Sequence, residues 1–548
     1  MKTSKYLNRI VALLLVSIMM VALLAACGSS DDTSGQPAAS GEPAASGESA
    51  APGGSGTSTS PGSGSDSGPP PVSARDTLVI QATSDPGTLS PLGGSIGFVP
   101  STLYAEALFS YDLDNNIIPR LAHDVELIAD DHLIVHLRQD LYFPSGDQLT
   151  AADVLFTLQL YYDEPTRRGF VRVIDLERTR AIDDFTVEIF QTEVSVAQYP
   201  SRYALIGIIS EKAYDPVEIV TNPNPMVIGP YRVAEYISGS GVRLEANPDY
   251  YGDPPLIPNL HFQVINEPAQ ITNALESGVI QVGTAAPHDA DYLQDIGLNI
   301  VRAPDTRSHS VMYNCTTLNY DERIAISYAI NSPAIVNTVW NGWATLTDYP
   351  GAPGKLDYEP IWGGRHDIYV DLYNLDKARE YAERGGLIGR TLTIITDSSD
   401  AYDAYAQIMQ EDLRKIDVNV EIVRYDRAAF AQILASPDAV DYDIGFGLTF
   451  VVSGLACFLI SDWTIINNCG WFGPTHDYYW ERGREIIGTL DWDTRQAMMP
   501  EFIDLFLETN PWYAIVAVPV MWALDPDLGG VRVDGAGNLQ YAFMYWES

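Results

Sequence analysis

The sequence predicts an α/β fold that divides into more than one lobe. Apolar residues alternate with polar ones in several short segments, as in half-buried strands, and recur every three to four residues in longer segments, as in amphipathic helices. At 548 residues, the chain exceeds the size at which a single hydrophobic core stops growing. A composition that is 46% hydrophobic and 19% charged is typical of a globular protein.

Strands and helices alternate in the later half of the chain, which favours a sheet with mixed parallel connections. Helical spacing covers residues 323–330, 375–384, 401–415 and 478–487, and strand-like segments cover residues 390–396, 419–424 and 442–446. In the earlier half, residues 132–139 and 185–192 show strand-like alternation on either side of a predicted helix. Thr150 is its predicted N-cap, and Asp153 completes a first turn resembling a capping box.

The N-terminus has the features of an export signal. A basic stretch precedes an apolar run over residues 11–24, and small residues lead directly to Cys27. The pattern resembles a bacterial lipoprotein signal, which implies removal of residues 1–26 and lipidation of Cys27. An ordinary cleaved signal with an incidental cysteine is the alternative. The run is too short to span a bilayer, so we expect a protein anchored by acyl chains at the outer face of the cytoplasmic membrane or in the periplasm.

Residues 27–74 are rich in Gly, Ser, Pro and Ala and show no apolar periodicity. Such a segment cannot bury a core, so the sequence predicts a flexible tether. A coil of that length has an r.m.s. span of roughly 35–40 Å, which would hold a folded body clear of a membrane surface.

The net charge excludes two classes of partner. The chain has 72 acidic and 32 basic residues, for a formal charge of −40. Such a chain repels nucleic acid and anionic lipid surfaces alike, so neither is expected to bind it.

Three cysteines lie in the folded region, at positions 315, 457 and 469. Outside the cytoplasm such thiols form disulfides, and three thiols allow one bridge at a time. Pairing of Cys457 with Cys469 is the local choice because it closes a short loop. Metal binding is the alternative, but no C-x-x-C motif is present. His132 and His136 lie in a strand-like segment without a third ligand, so we expect no metal and no other cofactor.

The sequence singles out no catalytic residue. The folded region contains neither the H-E-x-x-H motif of zinc peptidases nor the S-x-x-K motif of serine acyl-enzymes. Paired carboxylates are common in so acidic a chain, and nothing distinguishes one pair from another. We therefore expect a protein that is not an enzyme, with an anchored hydrolase as the alternative.

Five separated segments, taken in order, resemble the extracellular solute-binding proteins of peptide, nickel and related ABC importers. They are residues 119–127 with 133–158, residues 228–231 with 247–252, residues 275–283, residues 313–331 and residues 375–446. The first carries an "LR" strand leading to a "T-A-x-D-V" helix, and the matching residues are Leu137, Arg138, Phe143, Gly146, Leu149, Thr150, Ala151, Asp153, Val154 and Phe156. Each is explained as a turn, cap or packing residue, so the motif marks the fold rather than ligand contacts.

The resemblance implies a two-lobed periplasmic-binding-protein fold of the class II clamshell type, with a small α+β domain inserted in lobe one. The implied division is lobe one from residues 75–118, 223–307 and 513–548, the inserted domain from residues 119–222, and lobe two from residues 308–512. The chain would cross between the lobes near residues 304–308 and 510–519. A ligand would enter between the lobes, and closure would be a hinge motion.

The resemblance also implies where a ligand would be contacted. The candidates are Ser95, Ile96, Gly97 and Phe98 in a loop after the first strand, Arg202 and Tyr203 in the inserted domain, and Gly447, Thr449, Phe450, Val452 and Trp471 in lobe two. Glycines in the first loop would let a ligand approach the main chain, and Arg202 would suit a carboxylate. A plain surface loop and ordinary aromatic packing are the alternatives.

One departure bears on the substrate. Oligopeptide binders of this family often carry Trp-x-x-Asp after the strand at residues 442–446, where the aspartate pairs with a peptide amino terminus. Here Val452 lies near the expected acid, and a buried cation without a counter-ion costs several kcal/mol. Asp462 is the alternative partner for an amine. A metal chelate is a further option, with His309, His476 and Cys315 as its candidate ligands.

The sequence thus predicts a monomeric, lipid-anchored protein that captures a small solute and delivers it to the permease subunits of an ABC importer. A peptide is the first choice of solute, and an oligosaccharide or a metal chelate are the others. A sensing or adhesive lipoprotein on the same fold is the alternative function.

Overall fold

The computed structural model describes most of the chain after residue 74. The described residues are 75–93, 100–111, 117–129, 131–165, 167–171, 173–192, 203–354, 358–397, 399–434, 441–450, 469, 474–489, 491–533 and 537–547. Within them, no helix is both long enough and apolar enough to cross a membrane.

The strands are numbered along the chain. They are β1 Thr77–Ala82, β2 Phe109–Tyr111, β3 Ile117–Pro119, β4 Ala122–Ala129, β5 His132–Leu137, β6 Arg180–Asp183, β7 Thr186–Phe190, β8 Tyr231–Ile237, β9 Gly241–Ala246, β10 Asn259–Val264, β11 Val282–Thr284, β12 Asn299–Arg302, β13 Arg307–Tyr313, β14 Thr345–Leu346, β15 Thr391–Thr396, β16 Asn419–Arg424, β17 Ile444–Phe450, β18 Trp512–Val518, β19 Met521–Leu524, β20 Leu528–Gly529 and β21 Tyr545–Trp546.

The helices are numbered in the same way. They are α1 Ala151–Asp163, α2 Arg168–Val171, α3 Pro268–Glu276, α4 Ala290–Asp295, α5 Tyr320–Ala329, α6 Ser332–Thr338, α7 Asp367–Val370, α8 Leu375–Gly385, α9 Asp400–Arg414, α10 Arg427–Leu434, α11 Pro474–Gly488 and α12 Trp492–Leu507. Single turns of 3-10 helix lie at Ser101–Leu103, Glu218–Val220, Asn224–Met226, Pro360–Trp362 and Tyr541–Phe543.

Three sheets account for most of the described strands. Lobe one contains a seven-stranded sheet in the order β12-β19-β11-β1-β10-β9-β8, and lobe two a six-stranded sheet in the order β14-β18-β13-β17-β15-β16. A four-stranded antiparallel sheet, β4-β5-β7-β6, forms the inserted domain with α1. Each sheet has its own buried core, which is the two-lobed architecture with an inserted domain.

The lobe-two sheet is covered on both faces at β18, the strand next to its edge strand β14, and β18 is apolar throughout. All seven residues of β18 are buried, and helices α5 and α9 contribute to the same core. A strand buried on both faces reads as a continuous apolar run rather than an alternating one. Because β18 pairs with β13, the lobe-two sheet continues to Val518, and the predicted lobe boundary at 512–513 moves to the end of this strand.

The predicted cap of α1 is confirmed. The helix begins at Ala151, and the Thr150 backbone N–H donates to Asp153 Oδ2 at 2.8 Å. The other carboxylate oxygen of Asp153 accepts from the Glu211 N–H at 2.8 Å, which fastens the helix start to a distant segment. The turn before the helix contains Gly146 with φ of +91°, a conformation that a glycine adopts without strain.

Residues of two motifs meet on one buried carboxylate at the junction between lobe one and the inserted domain. Glu106 is 8% exposed and accepts from the hydroxyls of Tyr250 at 2.6 Å and Tyr251 at 2.8 Å. The guanidinium of Arg138 lies over the Tyr251 ring, 4.9 Å from its centroid. Burial raises the pKa of Glu106, and the two tyrosine hydroxyls oppose that rise. The "LR" motif and the family-like segment at residues 247–252 thus support the domain junction.

The turn at residues 228–231, which contains Gly229, Pro230 and Tyr231, has a steric role at the same junction. The Ile228 carbonyl accepts from the Glu106 N–H at 2.7 Å. A Cβ added at Gly229 would lie 2.5 Å from the backbone of Tyr104, so only glycine fits this close approach.

The guanidinium of Arg323, in α5, donates to carbonyls that follow the C-terminal end of α12. Arg323 is 6% exposed, and its guanidinium donates to the carbonyls of Leu318, Thr509 and Asn510, with the Nη2 bond to Thr509 at 2.6 Å. Thr509 and Asn510 follow α12 directly, where carbonyls lack partners within the helix. A cation at a helix C-terminus is also favoured by the helix dipole.

Candidate ligand-binding cleft

The lobe-one sheet has one edge at which several strand ends meet. Strands β10 and β11 run parallel to β1, so the carboxyl ends at Ala82, Val264 and Thr284 lie together. Strand β19 is antiparallel to β11 and β12, which brings Met521 and Arg302 to the same edge. In open α/β sheets, ligands bind outside the carboxyl ends of the parallel strands.

The lobe-two sheet has a corresponding edge. Arg307, the first residue of β13, pairs with Phe450 at the end of β17 and with Val518 at the end of β18. Strand β15 runs parallel to β17, so Asp397, which follows the end of β15, lies at the same edge of the sheet as Phe450.

Two short crossovers join these edges. One comprises residues 303–306 between β12 and β13, and the other residues 519–520 between β18 and β19. Three Cα–Cα steps from Val518 to Met521 span at most about 11 Å, so the two edges are close there. The Ala303 N–H donates to the Val520 carbonyl at 2.9 Å, which ties the crossovers together. The edges therefore face each other across a double hinge.

Arg302 links the hinge to both lobes. It is the last residue of β12, and its Nη2 donates to Asp305 Oδ2 at 2.6 Å within the crossover. The same nitrogen donates to Thr345 Oγ1 of lobe two at 2.9 Å. Asp305 is anchored in turn, because its carbonyl accepts from the Gly354 N–H at 2.8 Å. These contacts hold the lobes at their present angle.

An aromatic and polar cluster lies beside the lobe-two edge. His309, the third residue of β13, has its Nδ1 2.9 Å from the Tyr405 hydroxyl, which also accepts from Trp340 Nε1 at 2.6 Å. Tyr402 contacts the imidazole edge to face at 5.1 Å between ring centroids. Burial lowers the pKa of His309 to about 4, although the negative charge of Asp397 acts in the opposite direction.

This cluster offers three kinds of interaction to a solute. The imidazole is neutral at pH 7, and because Tyr405 accepts from an indole N–H, we assign the ring proton of His309 to Nε2, with the tyrosine donating to Nδ1. Trp340 is half-buried and presents an aromatic surface. Asp397 is also half-buried, with Oδ1 accepting from the Ser399 N–H at 3.0 Å, and its carboxylate provides a negative charge.

Most of the predicted contact residues lie outside the described residues. These are Ser95, Ile96, Gly97, Phe98, Arg202, Val452 and Trp471, together with Cys27, Cys457 and Asp462. Thr449 and Phe450 are placed by their backbones at the lobe-two edge, opposite Ser308 and Arg307.

The structure gives two other predicted contact residues a packing role. Tyr203 is 2% exposed and belongs to the core of the inserted domain, not to the strand ends that form the two edges. Gly447 lies three residues inside β17, and a Cβ there would meet Met312 Sδ at 2.4 Å. Its missing side chain is therefore explained by sheet packing.

Sequence reasoning did not select Asp397, Tyr402 and Trp340, and it considered His309 only as a metal ligand. One signal could have found Asp397, because it directly follows a predicted parallel strand, where ligand-binding residues concentrate. No comparable signal marks Trp340, which reaches the cluster through tertiary packing. Among the described residues, no group of three or more His, Cys, Asp or Glu side chains is placed to hold a metal ion.

The first loop also contains the spacing G-x-S-x-G over residues 93–97. In hydrolases this spacing forms a nucleophile elbow, where a strand runs directly into a helix. Here β1 ends at Ala82, and a turn and a bend occupy residues 91–93. The segment just before the motif is therefore not the strand that a nucleophile elbow would require.

The pairing of Cys457 with Cys469 stays a prediction, because the structure describes only Cys469 of the pair. Cys469 has a free thiol in the structure and is fully buried in the lobe-two core, where its carbonyl accepts from the Cys315 N–H at 2.9 Å. Its immediate neighbour is thus Cys315, which is remote in sequence, because the lobe-two core brings the two positions together.

The chain is similar to known proteins in sequence. The profile of the bacterial extracellular solute-binding proteins, family 5 Middle, matches residues 116–454. Protein XP55 of Streptomyces lividans is 27% identical over 64% of this chain and 67% of its own length. The glutathione-binding protein GsiB of Pectobacterium atrosepticum is 23% identical over 65% of this chain and 70% of its own length. The dipeptide-binding protein of Escherichia coli is 24% identical over 57% of this chain and 64% of its own length. The match thus spans about two thirds of these relatives.

Solved structures share the fold. The oligopeptide-binding protein AppA of Bacillus subtilis, in complex with a nonapeptide, matches with a TM-score of 0.71 at 18% identity, covering 86% of this chain and 99% of that one. NikA of Brucella suis, in complex with Fe(III)-EDTA, matches with a TM-score of 0.74 at 18% identity over the same shares. Since the family profile covers more than half of its length, the chain belongs to the bacterial extracellular solute-binding proteins of family 5, which bind substrates for transporters and are not enzymes.

Proposed function

We propose that this protein is a lipid-anchored receptor that captures a small solute between its lobes and delivers it to the permease subunits of an ABC importer. The observation that carries the proposal is the pair of facing sheet edges joined by two short, mutually bonded crossovers. Such a hinge lets a solute that contacts both edges favour the closed state, because only that state offers both sets of contacts.

A peptide is the solute class that we propose first. The relatives with a printed ligand include dipeptide- and glutathione-binding proteins, which supports a peptide here. The half-buried carboxylate of Asp397 offers a partner for a peptide amine on the lobe-two edge, and it would replace the acid that oligopeptide binders carry near sequence position 452. The neutral imidazole of His309 and the ring of Trp340 would contact an amide or an apolar side chain.

A thermal-shift screen of residues 74–548 tests solute capture. Short peptides, oligosaccharides and metal chelates are compared at the same molar concentrations. A ligand that binds only the folded state stabilises it by RT ln(1 + [L]/Kd), which is about 2.7 kcal/mol at one hundred times Kd. We expect peptides to raise the melting temperature. A flat profile across all classes, from protein shown to be folded and free of ligand, would favour the sensing or adhesive alternative.

The role of Asp397 is tested with any peptide that binds. Asp397→Asn removes the charge with little change in volume, and Asp493→Asn, on the exposed surface of α12, is the matched control. We expect Asp397→Asn to weaken binding of the free-amine peptide at least tenfold and to leave its N-acetylated form unchanged. Equal affinities of Asp397→Asn and Asp493→Asn for the free-amine peptide would show that Asp397 does not bind the peptide amine.

The lipid anchor is tested separately. Cells that express the full chain are labelled with an alkynyl fatty acid, and the label on the protein is compared between wild type and Cys27→Ser. We expect the label on wild type alone. An unlabelled wild-type chain, or a Cys27→Ser chain that keeps the label, would overturn the anchor at Cys27.

A further inference from the structure

Two cysteines that are far apart in sequence meet in the lobe-two core. Cys315 follows the end of β13 by two residues, and its N–H donates to the Cys469 carbonyl at 2.9 Å. Cys469 is fully buried, Cys315 is half-buried, and both pack against the same apolar cluster. Both carry free thiols in the structure.

The backbone contact brings the pair within disulfide range. A backbone N–H···O=C bond of 2.9 Å leaves the Cα atoms of its two residues about 5–6 Å apart, because each Cα is bonded directly to the nitrogen or the carbonyl carbon involved. Disulfides join residues whose Cα atoms are about 4.4–6.8 Å apart. The contact therefore sets the two main chains at a separation that a bridge requires.

The electrostatics of the two thiols support the proximity that the backbone bond shows. Burial raises the pKa of both, to about 11 for Cys315, and a charge on Cys315 raises the pKa of Cys469 further. The positive charge of Arg323 lowers the pKa of each thiol, so one guanidinium acts on both positions.

We propose that Cys315 and Cys469 form the disulfide of this protein, and that Cys457 stays reduced. The proposal rests on the extracellular location of the family and on this geometry, and not on the identity of the solute. A disulfide oxidant such as oxidised glutathione supplies the chemistry. One thiolate attacks it to form a mixed disulfide, and the second thiol displaces the remaining glutathione. Two protein protons leave, and two molecules of reduced glutathione are released.

The bridge would lie beyond the Tyr313 end of β13, opposite the end that forms the lobe-two edge. Cys315 follows β13, and Cys469 lies in sequence between β17 and α11. A cross-link between residues so far apart restricts the unfolded chain strongly, which stabilises the folded state. Because the thiols are buried with raised pKa values, the bridge forms before packing is complete and exchanges slowly afterwards.

Peptide mapping of the exported full chain tests the pairing. The protein is purified without reductant, its free thiols are alkylated in denaturant, and it is digested without reduction. We expect a cross-linked peptide that contains Cys315 and Cys469, with Cys457 alkylated. A cross-link between Cys457 and Cys469, or alkylation of both Cys315 and Cys469, would overturn the proposal.

Melting temperatures with and without dithiothreitol give a second readout, with Cys457→Ser as the matched control for Cys315→Ser. We expect reduction to lower the melting temperature of wild type and Cys457→Ser by about 2–5 °C. Cys315→Ser should show no shift that depends on reductant. Loss of that shift in Cys457→Ser would contradict the proposal. The peptide map of the wild type decides the matter even where Cys315→Ser does not fold.

Discussion

His309 shows how one residue acquires a property that its sequence position does not reveal. The imidazole lies against Tyr402, Tyr405 and Trp340, which come from two helical regions of lobe two. Sequence reasoning found the histidine but assigned it to a metal chelate, because spacing alone says nothing of the aromatic neighbours. By contrast, the cap formed by Thr150 and Asp153 depends on residues three apart, and it was predicted correctly.

The low pKa of His309 predicts an acid-dependent loss of stability. The folded protein keeps this imidazole neutral down to about pH 4, whereas the unfolded chain protonates near pH 6.5. The unfolded state binds more protons in that window, so the free energy of unfolding falls as the pH is lowered through it. Since the ring is only partly buried by area, we expect a contribution of about 1–3 kcal/mol between pH 6.5 and 4.

Urea unfolding at pH 7 and pH 4.5 measures this contribution. His309→Asn removes the titrating group, and His288→Asn, at a side chain 74% exposed, is the control. The drop in unfolding free energy between the two pH values should be smaller in His309→Asn than in wild type and His288→Asn. Equal drops in all three proteins would contradict the prediction.

Glu106 carries a stability prediction of its own. Glu106→Ala leaves the hydroxyls of Tyr250 and Tyr251 without their acceptor in a buried junction, and we expect a loss of about 2–4 kcal/mol in unfolding free energy. Glu245→Ala, on the exposed face of β9, should change it by less than about 0.5 kcal/mol. Denaturant unfolding compares the two variants, and similar values would show that Glu106 is not a junction residue.

At the scale of elements, the sequence predicted the regular structure well where periodicity is strong. Strand β16 has the predicted bounds, α8 ends one residue later than predicted, and α9 begins and ends one residue earlier than predicted. Strand β18 was missed as a member of lobe two, because its run of buried residues has no alternation to read. The predicted position of the last crossing shifted for that reason alone.

Replacing Arg323 measures how much its bonds to the carbonyls after α12 stabilise the folded protein. Arg323→Met keeps the apolar stem but removes the donors to the carbonyls after α12, so we expect a loss of about 2–4 kcal/mol in unfolding free energy. The control is Arg414→Met, since Arg414 is exposed and pairs with Glu411 on its own helix. Denaturant unfolding distinguishes them, and a loss below about 0.5 kcal/mol for Arg323→Met would show that the cap contributes little.

At the scale of the whole folded body, family resemblance predicted two lobes and a double crossover, and topology locates the cleft. The predicted ligand contacts stay predictions. The aromatic and polar cluster beside the lobe-two edge could not be assembled from the sequence, since it combines residues of β13 and of the segment after β15 with tertiary neighbours such as Trp340. Arg302 illustrates the same limit, because its bond to Thr345 of lobe two depends on how the lobes meet.

The hinge contacts of Arg302 predict an effect on affinity without a change in the cleft. Arg302→Gln removes the charged link to Asp305 and weakens the link to Thr345, so the balance between open and closed lobes should shift. We expect a change of at least threefold in the Kd of a bound solute, measured by calorimetry. Arg243→Gln, on the exposed surface of β9, serves as the control. An unchanged Kd in Arg302→Gln would show that Arg302 does not affect closure of the lobes.

Small-angle X-ray scattering of residues 74–548, with and without a saturating solute found by the thermal-shift screen, measures whether the lobes close on that solute. If the two sheet edges close on the solute, the radius of gyration falls on saturation, because the lobes move together about the crossovers. A solute that saturates the protein and leaves the radius of gyration unchanged would contradict capture between the lobes.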